Sequence, residues 1–156
     1  MPTSLTKLSF GSTAAIVTSM GLISGLSTAT GSKAAVMASL LVIAIADNLT
    51  DSLAIHVYQE SEKLESSHAF RSTVANFFAR LLVGLSFVIL VLLLPDSLTV
   101  PVGLSWGMAL LGTLTYFVAR SRGVRPLVEV AKHVGVAIVV IGVSRAIGAW
   151  ILAYVV

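Results

Sequence analysis

Residues 8–32, LSFGSTAAIVTSMGLISGLSTATGS, run from Lys7 to Lys33 without one charged side chain. A bilayer hydrocarbon core about 30 Å thick is crossed by roughly 20 mostly apolar residues of helix, so the run holds a first span near Phe10 to Thr28. The apolar region of a secretory leader is about 7 to 15 residues; this one is longer and is expected to be a retained helix. Outward from it, the gaps between charges mark four more spans. The second, about Ala34 to Tyr58, is interrupted by Asp47, Asp51 and His56. The third, about Val74 to Leu94, carries Arg80 in its first turns and stops at the turn signal Pro95-Asp96. The fourth covers about Val100 to Ala119, and the fifth, about Val134 to Val156, contains Arg145. The expected fold is therefore all-α: one transmembrane domain over residues 1–156, with spans at about 10–28, 34–58, 74–94, 100–119 and 134–156 and no soluble domain appended.

Composition agrees. Of the chain, 56% is hydrophobic and 11% charged, and the mean hydropathy is +0.98. Soluble domains carry about a quarter charged residues, so most of this chain must use lipid as its solvent. That makes it a multi-pass integral membrane protein, in the cell membrane if the chain is prokaryotic. There is no cysteine, which removes disulfides, thiolate zinc sites, iron–sulfur clusters and thiol catalysis.

Orientation follows from Lys and Arg in the short loops. Lys7, Lys63, Arg71, Arg80, Arg120, Arg122, Arg125 and Lys132 fall on the side of the N-terminus, and Lys33 alone on the other. Eight against one predicts a cytoplasmic N-terminus and a C-terminus on the opposite side. The excess of basic residues is thereby accounted for by topology, and nucleic acid is not expected as a partner.

The second span is the unusual one. Charged residues deep in a membrane helix cost at least about 2.5 to 3.5 kcal/mol each on insertion scales and normally face a bundle interior or a wet cavity. At 100° per residue, Asp47, Asp51, Ile55, Tyr58, Glu62 and Glu65 fall within an arc of about 80°. That stripe runs from mid-membrane to the cytoplasmic loop, acidic at both ends, as suits attracting a cation and handing it inward. His56 lies roughly 140° from Asp51 and makes a poor co-ligand with it. Carboxylates suit hard or borderline divalent cations and also exchange protons, so the stripe can carry metal, protons or both alternately. The plainer alternative is structural: Asp47 and Asp51 hydrogen-bonded to neighbouring helices or paired with Arg145.

Arg145 sits near the middle of the fifth span, too deep to snorkel easily to water. A counter-ion is expected, with Asp47 or Asp51 the natural candidate, either permanently or only when metal is absent. Between the second and third spans, Glu60, Glu62, Glu65 and His68 read either as a solvated helix end or as a cation-gathering mouth. Gly21 and Gly25 form a GxxxG pair, and Gly103 and Gly107 a second; each suits close packing within the chain or a dimer contact. Met20 and Met37 can offer thioethers to a metal but more often serve packing. No phosphate-binding glycine loop, nucleophile elbow or HExxH motif is present, so an enzyme is not expected.

The run Ser19-Met20-Gly21-Leu22-Ile23-Ser24-Gly25-Leu26, then Ile45-Ala46-Asp47-Asn48-Leu49-Thr50-Asp51-Ser52-Leu53-Ala54 and Glu60-Ser61-Glu62, resembles the vacuolar iron transporter family, as do Leu104 to Gly112 and Gly142 to Ile151. The resemblance covers nearly the whole chain and rests chiefly on the second-span pattern. It implies a five-helix protomer working as a homodimer. It further implies proton-coupled export of Fe²⁺ or Mn²⁺ from the cytosol, between the first two helices of both protomers, with no permanently bound cofactor. The family's second-helix acid maps onto Asp47, with Asp51 one turn on, so a dimer brings four carboxylates around one axis. The chain differs from the family at three places. Ala14 stands where an aspartate is common, Ile55 where a methionine is common, and residues 59–73 replace a glutamate-rich metal-binding insert. Two alternatives remain: a membrane scaffold or regulatory subunit that transports nothing, and a passive cation or proton channel on the same fold.

Overall fold

The computed structural model describes residues 4–61 and 66–155, with side chains described for 11–58, 61, 70 and 73–155. These residues form α1 (Ser4–Thr30), α2 (Lys33–Val42), a π-helical turn (Ile43–Asp47), α3 (Asn48–Ser61), α4 (Ser66–Leu93), α5 (Asp96–Ser121) and α6 (Pro126–Tyr154). Five stretches are long and apolar enough to cross a membrane: Gly11–Thr30, Lys33–Tyr58, Thr73–Leu93, Asp96–Ser121 and Pro126–Tyr154. The chain is an all-α, five-span membrane protein. The expected spans are recovered, but several helices outrun them. The fifth begins at Pro126 rather than near Val134, because gaps between charges mark the limits of apolarity and not those of helix.

The turns explain themselves locally. Gly31 at φ 60 and Gly123 at φ 70 adopt the left-handed conformation that L side chains resist. After α5 the Gly123 N–H donates to the Arg120 carbonyl and the Val124 N–H to the Ala119 carbonyl, the paired arrangement that satisfies a helix's last carbonyls. Pro126 then starts α6, where a missing N–H costs nothing. At the opposite end of the bundle, the Ser32 hydroxyl accepts from the Ala35 N–H at 3.2 Å to cap α2. Beside it, Lys33 Nζ donates to the carbonyls of Leu94 at 2.6 Å and Leu92 at 3.3 Å. One lysine thus ties the α1–α2 turn to the end of α4.

The first span is the hub, with α2, α4, α5 and α6 all packed against it. Its small residues make this possible. A Cβ on Gly21 would lie 3.0 Å from the Ser144 hydroxyl, and one on Gly148 would run into the Gly25 carbonyl. Both glycine pairs are occupied by contacts within the chain: Gly21 and Gly25 by α6, and Gly103 and Gly107 by Ile23 and Met20 of α1. Met20 is fully buried and serves packing. The core gathers Ile16, Met20 and Ile23 with Val36, Leu40, Phe87, Val91 and Leu111. Outside, Leu41, Val42, Ile45, Leu49, Leu53, Ile89, Leu92, Val139 and Val143 are exposed, the apolar exterior that a bilayer requires.

Candidate functional site

The π turn lies midway along the second span. Its composition, IAIAD, is ordinary for a helix, but the Asn48 N–H reaches back five residues to the Ile43 carbonyl. Two contacts with α4 flank the turn. Ala44 is pressed so closely against Gly84 that a Cβ there would lie 3.0 Å from the alanine Cβ. Asn48, 1% exposed, donates from Nδ2 to the Phe77 carbonyl at 2.8 Å. Single π turns inside α-helices recur at functional sites because they re-aim the side chains around them. Here they frame Asp47 and Asp51.

Both aspartates meet one cation, Arg80 of α4. Its Nη2 donates to Asp47 Oδ2 at 3.0 Å, and its Nη1 pairs with Asp51 Oδ2. The arginine is 4% exposed, while the two aspartate side chains are 48% and 43% exposed on the outer face of the protomer. The guanidinium is thus set into the bundle wall, with its carboxylates between it and the surroundings. Among the described residues the two carboxylates share this one cation, on a face whose neighbours Ile45, Leu49 and Leu53 are exposed and apolar. At about 1.5 Å per residue, Asp47 is about 21 Å along the helix from Lys33 and about 17 Å from Tyr58, the ends of its span. In a bilayer, carboxylates at that depth normally face a wet cavity, a bound cation or another polypeptide.

Behind the arginine the bundle is polar as well as tight. Asn76, one turn before Arg80, is 3% exposed, and among the described residues neither of its amide atoms finds a hydrogen-bond partner. A Cβ on Gly11 would collide with the Asn76 amide, so only glycine lets α1 approach there. A cavity of about 10 Å³ lined by Ser19, Asn48 and Arg80 lies alongside, close to what one water molecule needs.

Arg145 does not take the role expected of it. It is exposed on α6, which packs against α1 and α5, and the cation that holds both aspartates is Arg80. Depth in the membrane singled out Arg145, whereas partnership depends on which helices touch. The sequence signal for Arg80 is its position inside an apolar run, four residues after Asn76 and so on the same helix face. Without Arg80 the loop charges still favour the same orientation, seven to one.

Of the expected acidic stripe, Asp47 and Asp51 are brought together, and Ile55 and Tyr58 continue along α3. Glu62 and Glu65 lie outside the described residues, as do the side chains of Glu60 and His68. Among the described residues no three His, Asp or Glu side chains form a metal-binding group. Comparison of the chain with protein-family models, with curated proteins and with solved structures gave no match.

Proposed function

We propose that the protein is a membrane transporter that exports a divalent transition-metal cation, Fe²⁺ or Mn²⁺, from the cytoplasm, as a homodimer and in exchange for protons. The observation that carries this reading is the mid-membrane pair Asp47 and Asp51, half-exposed on an apolar face and sharing, among the described residues, the single cation Arg80. Two carboxylates are too few for a hard divalent ion, which prefers about six oxygen donors. A second copy across the same face supplies two more carboxylates and removes them from lipid. The glycine pairs of the first and fourth spans are occupied inside the protomer, which leaves the second-span face for the partner.

In this mechanism Arg80 is a tethered cation. With the site free of metal, its guanidinium holds the aspartates. An arriving divalent ion takes over their oxygens and releases the arginine from at least one of them, and on the far side Arg80 or protons refill the site. The glutamates and His68 of the loop after the second span gather the cation at the cytoplasmic entrance. Rocking of the first two spans, the first of which is rich in glycine and small hydroxyl residues, supplies alternating access.

The same Arg80 pairing favours one competing reading, a non-transporting scaffold in which the ion pairs are purely structural. Purified protein in liposomes separates the two. Mn²⁺ movement, driven uphill by an imposed pH gradient, is expected of the antiporter; downhill flux indifferent to the gradient marks a channel, and no flux marks a scaffold.

A further inference from the structure

We propose that the cavity where α1, α5 and α6 meet, beside the α5–α6 turn, binds one anionic phospholipid from the adjacent membrane leaflet, with the phosphate at Arg122 and an acyl chain in the apolar part. The cavity encloses about 500 Å³, within the range of sites that hold a sizeable ligand. Its apolar lining comes from Val17, Leu114, Val118 and Val136, and its charged and polar rim from Arg122, His133 and the carboxylate Glu129. Arg122 terminates α5, and Pro126 begins α6. The rim therefore sits at one end of the spans, at headgroup level, and the apolar wall extends from there into hydrocarbon depth.

The charge around the rim is one-sided. Arg120, Arg122, Arg125 and Lys132 are all exposed in this hairpin. The acid facing them, Glu129, accepts from Lys132 Nζ at 2.7 Å, so residues 120–133 carry a net charge of +3, four cations against one carboxylate. His133 is held in the wall because its Nδ1 donates to the Glu129 carbonyl at 2.8 Å. Basic pockets between spans on one membrane face collect anionic headgroups. A symmetric contact with the same face of a second copy is opposed because like-charged hairpins repel, and a small soluble anion leaves the apolar wall facing water.

The test is native mass spectrometry of the full chain in detergent, titrated with dioleoylphosphatidylglycerol or dioleoylphosphatidylcholine. The expected result is at least about ten-fold tighter retention of one phosphatidylglycerol per protomer than of phosphatidylcholine, with Arg122→Gln weakening it about five-fold. Arg145→Gln, which removes an exposed cation of α6 outside both the cavity and the hairpin, leaves retention within about two-fold. Equal retention of the two lipids, wild-type retention by Arg122→Gln, or displacement of the lipid by millimolar inorganic phosphate would each overturn the proposal. Metal transport is not needed for this measurement, so its outcome is independent of the transport reading.

Discussion

Replacing Arg80 by methionine removes a guanidinium that is 4% exposed and leaves two aspartates without their shared cation. Removing one partner of a buried ion pair costs about 3 to 5 kcal/mol, because the charge left behind stays desolvated. Here the orphaned groups are nearly half-exposed, 48% and 43%, and not enclosed by protein, which puts the loss at the low end, about 3 kcal/mol. That is roughly a hundred-fold in the unfolding equilibrium. The assay is reversible unfolding in mixed micelles with increasing sodium dodecyl sulfate, followed by circular dichroism. The decisive arm is the uncharged triple variant Asp47→Asn, Asp51→Asn, Arg80→Met. Neutralising the whole cluster leaves no stranded charge, so stability returns to within about 1 kcal/mol of wild type. If Arg80→Met alone is silent, or if the triple variant is as unstable as the single one, the three residues do not form one electrostatic unit.

Other consequences are separable from that cluster. Gly148→Ala drives a methyl into the Gly25 carbonyl and should cost about 1 to 3 kcal/mol; Gly142→Ala, with open space around it, should be neutral or stabilise by up to about 1 kcal/mol in the same unfolding assay. Asn48→Leu removes the bond to the Phe77 carbonyl and should cost about 1 kcal/mol; unchanged stability would mean that this bond does not hold α3 on α4. Because the chain has no cysteine, single-cysteine variants report topology cleanly. A membrane-impermeant maleimide should label Ser97→Cys in intact cells and Ser121→Cys only after permeabilisation, and the reverse pattern would overturn the orientation drawn from loop charge.

The five spans were legible because lipid imposes so simple a rule: length and apolarity suffice, and charge placement supplies the hand. The two aspartates were legible for the converse reason, as polar residues where polarity is expensive. What could not be read was tertiary. Arg80 and Asp47 are 33 residues apart, and their meeting depends on α3 lying along α4. The π turn was hidden because Ile43 to Asp47 has the composition of any membrane helix, and the contacts that accompany it, Ala44 on Gly84 and Asn48 on the α4 backbone, are tertiary. The glycine pairs were visible as close-packing surfaces, but which surface they faced was undetermined until α6 was seen resting on Gly21 and Gly25.

The central claim is that Asp47 and Asp51 carry a transported metal. Its most direct test is Mn²⁺ uptake into proteoliposomes by wild type, Asp47→Asn and Asp51→Asn, each reconstituted at equal protein density and checked for native helicity. Wild type should accumulate Mn²⁺ and both variants should lose at least about ten-fold in rate, the equivalent of about 1.4 kcal/mol of lost ion stabilisation. Wild-type rates in both variants would contradict the claim.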